Sequence, residues 1–335
     1  MGLNLQERKD LLVLLGEFMG GEDEQWAFFK QKAYSENRWF IPEFIELAVQ
    51  NIVINYLQAD QLQRLIDQYN IPHENIKPKR IGIVMAGNIP LVGFHDFLCV
   101  FITGHIAVIK PSSKDEVLIS FLVRKMKQWN REAEQFILIQ DLLKDCDAYI
   151  ATGSNNSARY FEFYFRKRPN IIRKNRTSIA VLTGNETQEE LNLLADDVHQ
   201  YFGLGCRNVT KIFVPYGYDF VPLLNSFRKY HHLINHNKYR NNYEYNLAVH
   251  ILNKHHYMTN ESIILVEESS AFSPISQLNY EFYSDITKVY RQLEGDQSIQ
   301  CVVGNQREKF GEAQVPGICT FADNVDTMNF LLGLS

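Results

Sequence analysis

The group with the most chemistry in this chain is a thiol set on a glycine turn. Cys206 closes the run Gly203-Leu204-Gly205-Cys206, which follows a helical pattern and leads into an apolar run ending at Pro215. Glycines let the backbone turn sharply and let a second molecule come close. A cysteine presented there can meet a substrate; as a thiolate it attacks an activated carbonyl to give a thiohemiacetal or thioester. The same residue also reads as a buried, inert cysteine, and a nucleophile needs its pKa lowered by dipoles or by a cation such as the adjacent Arg207. His199 lies seven residues earlier, near the end of the preceding helix. It can relay a proton to the oxygen formed in such an attack, or be an ordinary packing histidine. Asn88 sits in Ala86-Gly87-Asn88-Ile89-Pro90, just past a short apolar run. A side-chain amide on a rigid turn can donate to an oxygen as it becomes negative; otherwise it merely supports the turn before Pro90.

These groups need a frame, and the spacing predicts one. Residues 80–86 are an apolar run bounded by Gly87, the mark of a strand buried on both faces. A helix is expected over 91–103, stopped by Gly104, then a strand over 106–110 ending at Pro111-Ser112-Ser113. The pattern repeats with a helix over 114–129, strands over 135–139 and 147–151, a helix from about residue 156, and a strand over 178–182 that closes the set. This alternation predicts a doubly wound parallel-sheet nucleotide-binding domain of α/β class. A smaller α/β domain carrying Cys206 is expected to follow. It contains a helix over 187–201, a strand over 211–214, a helix over 220–232, a polar stretch rich in Asn, Tyr and His, and a strand over 262–266. Next come a loop over 267–274, a helix over 284–293 capped by Ser284, a strand over 298–303, a short strand over 318–321 and a helix over 326–332. The expected divisions are a helical region over 1–78 packed on the nucleotide domain, the nucleotide-binding domain over 79–185, and the catalytic domain over 186–335, whose tail can return to the nucleotide domain.

Ligands of open α/β sheets gather at the carboxyl ends of the strands. Lys110 ends one strand, so its ammonium can meet a ribose or phosphate of a nucleotide or simply be solvated. Ser112 and Lys114 follow it, where they can select a 2′-phosphate. Gly153 and Ser154 precede a helix whose first N–H groups suit a pyrophosphate. Glu268 can accept from ribose hydroxyls or be a solvated loop carboxylate. No GxGxxG occurs, so this is not the ordinary dinucleotide fingerprint.

The 335 residues carry a net charge of −5, with 45% hydrophobic and 22% charged residues. That balance argues against a general nucleic-acid role, and the basic run at 166–168 reads as a solvated helix end. The five cysteines are odd in number, widely spaced and without a CxxC, which fits a reducing, cytoplasmic setting rather than disulfides or zinc. Cys99 and Cys301 sit in apolar runs and read as core. The histidines at 231, 232, 236, 255 and 256 have no metal-ligand pattern, so no metal is expected. The first residues lack the order of a signal peptide, and no apolar run reaches the roughly 18 residues of a membrane span.

The ordered blocks Ala86-Gly87-Asn88-Ile89-Pro90, Gly104-His105-Ile106-Ala107-Val108-Ile109-Lys110-Pro111-Ser112, Ala151-Thr152-Gly153-Ser154 and Gly203-Leu204-Gly205-Cys206 resemble the aldehyde dehydrogenase superfamily. A fifth, from Glu267-Glu268 to Phe272-Ser273-Pro274, is similar to its ribose-binding segment but carries extra residues. Within the superfamily, Asn175-Arg176-Thr177-Ser178 and Gly205-Cys206-Arg207-Asn208-Val209 resemble the bacterial acyl-CoA reductases related to the fatty acid reductase of luminescence systems. The resemblance implies Cys206 as nucleophile, Asn88 as oxyanion donor, and Lys110, Ser112, Gly153, Ser154 and Glu268 around a nicotinamide cofactor, NADPH or NADH. The superfamily's Glu-Leu-Gly-Gly-Lys base segment should fall near residues 173–177, and no carboxylate stands there. Without that base, hydrolysis of a Cys206 thioester should be slow. The implied activity is therefore reduction of an acyl-CoA or acyl-carrier thioester to the aldehyde. An ordinary aldehyde dehydrogenase and an inactive binding relative are the alternatives. The regions before the asparagine turn and at the tail are short for the superfamily, which leaves the oligomeric state open.

Overall fold

The computed structural model describes residues 2–304 and 307–334. The chain forms two compact units: one runs to Asn175 and resumes at Pro316, the other spans Arg176–Val315. The division between the units falls at residues 175/176, where 185 was expected, and the N-terminal helices lie within the first unit. Its Leu12, Leu15, Trp26 and Phe40 share one core with Phe97, Phe101 and Phe121.

The first unit opens with helices α1 (Leu5–Gly20), α2 (Glu24–Glu36), α3 (Pro42–Asn55) and α4 (Ala59–Tyr69). There follow β1 (Arg80–Val84), α5 (Phe94–Ile102), β2 (Ile106–Lys110), α6 (Glu116–Trp129), the short α7 (Ala133–Phe136), β3 (Ile137–Ile139), β4 (Ala148–Thr152), α8 (Asn155–Phe165) and β5 (Asn170–Arg173). The five strands are all parallel, in the order β3-β2-β1-β4-β5. From β1 the chain builds outwards to β3, then returns to place β4 on the other side of β1. That reversal is the switch point at which doubly wound sheets bind ligands. Register brings Val84 of β1 opposite both Lys110 of β2 and Ala151 of β4, so the ends of these three strands are level.

The second unit contains β6 (Thr177–Val181), α9 (Gln188–His199), β7 (Val209–Pro215), α10 (Phe220–Ser226), α11 (Asn237–Leu252), β8 (Met258–Thr259), β9 (Ile264–Glu267), β10 (Gln277–Tyr283), α12 (Ile286–Leu293) and β11 (Ile299–Val303). Its sheet runs β11-β6-β7-β10-β9-β8, parallel except for β8 against β9. The tail of the chain then supplies α13 (Thr327–Leu332), whose Met328 and Leu331 belong to the first unit's core.

Several expectations need correcting. The strand over 178–182 does not close the nucleotide-binding sheet; as β6 it pairs with β7 and β11 in the second sheet. A fully apolar run is buried on both faces in either sheet, so periodicity could not choose between them. The polar stretch after residue 232 contains α11, which buries Tyr239, Tyr243, Asn246 and His250 at helical spacing. Asp285, not Ser284, caps α12, accepting from the Thr287 N–H. Residues 318–321 form no strand; Ile318 and Phe321 are core side chains of the first unit. Both β5 and the central β10 were unforeseen, although Leu278, Tyr280 and Phe282 alternate as a strand requires.

A buried ion pair fastens the tail. The Arg173 guanidinium pairs with the Asp96 carboxylate of α5 and donates to Thr327 Oγ1 at 2.9 Å. Breaking a buried pair leaves an uncompensated charge, which typically costs about 3–5 kcal/mol. Asp96→Ala is therefore expected to lower the thermal midpoint of this unit by roughly 10 °C, measurable by calorimetry.

Candidate active site

The first unit gathers Asn88, Lys110, Ser112, Gly153 and Ser154 at the carboxyl edge of its sheet. Asn88 lies four residues past the end of β1, Lys110 ends β2, and Gly153 follows β4. The Met85 N–H donates to the Lys110 carbonyl at 3.0 Å, so the asparagine turn leaves β1 still attached to β2. Gly87 allows the next contact. A methyl group there would lie 2.5 Å from Ser112 Oγ and 3.0 Å from Lys114 Cβ, so only glycine lets the two turns lie this close. Asn88 itself is exposed, and Lys110 and Ser112 are half-buried. Ser154 caps α8, its hydroxyl accepting the Ser157 N–H at 3.2 Å, and the Gly153 N–H donates to Arg173 O at 3.2 Å. The positive end of α8 therefore stands beside the switch point, which suits an anion.

The second unit holds Cys206, His199 and Glu268. Cys206 is half-buried and not in a disulfide. The turn before it is unusual: Tyr201, Phe202 and Gly203 are left-handed in succession, at φ 54°, 58° and 73°. Non-glycine residues resist that region, at roughly 1–2 kcal/mol each, so the surrounding contacts must hold it. Asn208 supplies many of them. Wholly buried, it donates through Nδ2 to Asp197 O at 3.1 Å and Gln200 O at 2.8 Å, and its Oδ1 accepts the Gly205 N–H at 2.7 Å. Ser178 Oγ donates to the Cys206 carbonyl at 3.1 Å, and Cys301 Sγ lies 3.0 Å from Ser178 Oγ. Burial pushes the Cys301 thiol up to about 12, so it stays protonated.

Arg207, next to Cys206 in sequence, is tied to a distant segment. Its guanidinium donates to Ala313 O at 3.3 Å and lies 3.6 Å from Glu308. Asp197 holds the same segment through the Gly311 N–H at 2.7 Å and the Ala313 N–H at 3.1 Å, with its carboxyl raised by burial to about 7.

The Glu268 loop is braced on the strand that follows Cys206. Thr210 Oγ1 donates to Ala271 O and Lys211 Nζ to Ser269 O, each at 2.6 Å, and Asn279 Nδ2 reaches Ser270 O at 3.0 Å. The Glu268 carboxylate is exposed and folds onto its own loop, accepting from Ser269 N at 2.8 Å. Those N–H groups, from Ser270 and Ser269, hold it below the usual carboxylate range.

His199 is placed differently from its expected role. It is buried, with its ring stacked on Tyr230 at 5.1 Å and edge-on to Phe227, and Nδ1 bonded to Ala195 O at 2.9 Å. Nε2 has no hydrogen-bond partner. Burial lowers its pKa to about 4, so it is neutral and a poor source of protons near pH 7. The unfolded chain takes up that proton near its ordinary value of 6.5, the folded one only near 4. His199 therefore contributes stability above pH 6.5 that is lost as pH falls towards 4, by about 3 kcal/mol in all. His199→Phe should flatten that acid limb in urea titrations run from pH 8 to pH 4.

Sequence reasoning quoted Asn208 and Ser178 without a role and gave none to Lys211 and Asn279, because their partners lie on segments that nothing local to them identifies. Asn208 alone left a local signal, an asparagine at the exit of a glycine turn.

Solved structures similar to this chain are aldehyde dehydrogenases. Aldehyde dehydrogenase 21 from Physcomitrella patens, in complex with the reaction product succinate, matches with a TM-score of 0.67 at 11% identity, over 90% of this chain and 74% of that one. A variant aldehyde dehydrogenase from Bacillus cereus matches at 0.68 and 11% identity, over 93% and 74%. Succinic semialdehyde dehydrogenase from Streptococcus pyogenes, in complex with NADP+ as the cofactor, matches at 0.62 and 13% identity, over 90% and 78%. No protein-family model and no curated protein sequence matches the chain. What these neighbours share with it is architecture: the chain has the aldehyde dehydrogenase fold.

Proposed function

We propose that this protein reduces an acyl thioester, an acyl-CoA or acyl-carrier conjugate, to the aldehyde through a thioester on Cys206, using a nicotinamide cofactor. The observation that carries the reading is what occupies the base segment. At residues 173–177 Arg173 is locked to Asp96, Thr177 Oγ1 is bonded to Thr210 Oγ1, and no carboxylate is present. A Cys206 thioester would thus lack a placed base to activate water. Glu268 is a poor substitute, since its own loop's N–H groups hold it ionised and weakly basic.

The residues present fit a dinucleotide. Gly87 lets the asparagine turn lie against Ser112 and Lys114 at the carboxyl edge of the first sheet, Lys110 and Lys114 supply positive charge, and the α8 N-terminus offers N–H groups to phosphate. Lys110 would hold a ribose or phosphate oxygen, Ser112 and Lys114 a 2′-phosphate, and Glu268 the far ribose; this favours NADPH over NADH. The cofactor, when bound, supplies the hydride.

The chain's own part follows from its groups. The Cys206 thiolate attacks the carbonyl carbon of the acyl thioester, the C–S bond to the carrier breaks, and the carrier leaves as a thiolate that takes up a proton. The Asn88 amide donates to the carbonyl oxygen while it is negative. After reduction, the C–S bond to Cys206 breaks, its thiolate is restored, and the oxygen becomes the carbonyl of the aldehyde. Asn208 and Ser178 hold the backbone on either side of the sulfur throughout.

The test is intact mass after incubation with acyl-CoAs of increasing chain length. One added acyl group, discharged as aldehyde by NADPH, is the expected result. Free acid formed from an aldehyde and NADP+ without any CoA would instead indicate an ordinary aldehyde dehydrogenase. Nucleotide binding with neither product would indicate a binding protein.

A further inference from the structure

The asparagine turn is held at both ends by the segment that follows β2. Its start is tied by Met85 N to Lys110 O at 3.0 Å. Its middle, Gly87, packs on Ser112 and Lys114. Its far end is Leu91, a bulky residue at φ 54°, in the left-handed region that such side chains avoid. The Leu91 N–H donates to Asp115 Oδ2 at 2.6 Å.

Asp115 is an odd residue to find doing this. It stands at the N-cap of α6, where aspartate ordinarily accepts from its own helix. Here it makes no such bond, and the helix start goes without a side-chain cap. The carboxyl is 7% exposed, and Oδ1 has no hydrogen-bond partner. Burial raises its pKa well above the ordinary value, and Oδ2 is the oxygen that accepts from Leu91. A buried carboxyl with an unsatisfied oxygen is costly and survives where the bond it makes matters. The segment that makes it is itself stiff: Asp115 N donates to Ser112 O at 2.9 Å and Lys114 N to Ser112 Oγ at 3.3 Å.

We propose that Asp115 is a positioning residue that fixes the Asn88 turn through Leu91, so that the segment reading the cofactor at Lys110 and Ser112 also sets the oxyanion donor. The role of Asn88 in this rests on the function proposed above; the clamp on the turn does not. Asp115 touches no reacting atom. Its effect travels through three residues of backbone, from the Leu91 N–H to the Asn88 side chain.

Two measurements test this. The first is hydrogen exchange over residues 86–92 against β1 as internal reference. Asp115→Ala should speed exchange of the Leu91 amide at least tenfold with β1 unchanged, and Asp115→Asn, whose amide oxygen still accepts, should restore protection. Should the alanine variant fail to fold, Gly87→Ala loosens the same turn from the Ser112 side. Unchanged exchange in either variant overturns the clamp.

The second is a double-mutant cycle on the rate of Cys206 acylation by the acyl-CoA that labels the wild type. Asp115→Ala should slow acylation about 10- to 100-fold, a fraction of what oxyanion donors typically supply, while NADPH affinity changes less than twofold. In an Asn88→Ala background it should cost less than twofold more, because the donor it positions is gone. Full multiplicative loss in that background would mean that Asp115 acts only on general stability, and would overturn the positioning role. If the wild type takes no acyl group while exchange at Leu91 still responds to Asp115, the acyl-reductase reading falls and the clamp stands.

Discussion

Cys206→Ala abolishes transfer of the acyl group to the protein: intact mass shows no adduct with any acyl-CoA, and aldehyde formation falls by at least about 10⁴-fold. The size follows from the division of labour. If the sulfur forms the only covalent bond to the acyl group, its loss removes the pathway rather than slowing a step in it. The fold should be untouched. The polar groups that hold this loop act on its backbone: Ser178 Oγ on the Cys206 carbonyl and Asn208 Oδ1 on the Gly205 N–H. Alanine keeps both, and its thermal midpoint should lie within about 1–2 °C of the wild type's. NADPH affinity, measured by fluorescence quenching, should be preserved, because the groups proposed to hold the cofactor lie mainly on the first unit. An adduct that persists in the alanine variant would move the nucleophile elsewhere. Cys319 would then be the one to examine, since it is the other half-buried cysteine while Cys99, Cys146 and Cys301 are buried.

Asn88→Ala is the second large effect. The amide lies beyond a strand end, on a turn held by Met85, Gly87 and Leu91, so it arrives pre-oriented at an exposed position. Loss of one such donor to a developing oxyanion costs about 10²–10³ in rate. The loss should fall on kcat for acylation and leave KM within about threefold, because the charge it meets develops only in the transition state. Stopped-flow release of CoA reads this directly. An equal rise in KM with kcat unchanged would reassign Asn88 to ground-state binding.

How much of this was legible beforehand depends on the range of the interaction involved. The positions of Gly87, Lys110, Gly153 and Cys206 at the edges of strands or helices were legible, because such edges are written locally by apolar runs and glycine punctuation. The doubly wound sheet followed from the alternation of those runs. The burial of His199 was not legible for the opposite reason: its position before Cys206 is local, but the Phe227 and Tyr230 rings that bury it come from a later segment. The contacts of Arg207 were hidden in the same way, since Glu308 and Ala313 are far along the chain.

By itself, then, the sequence determined the succession of β1 to β4 and their turns in the first sheet, the presence of a thiol on a glycine turn, and the lack of a carboxylate at residues 173–177. These are properties of neighbouring residues and of their types. Tertiary structure alone decided that β6 joins β7 rather than β4, that Tyr201 and Phe202 are held left-handed, and that the Asp115 side chain leaves its own helix for Leu91. A strand buried on both faces looks alike in either sheet, and a polar side chain can satisfy itself with any donor in reach. Only the folded chain, by bringing distant backbone within about 3 Å, chooses among them.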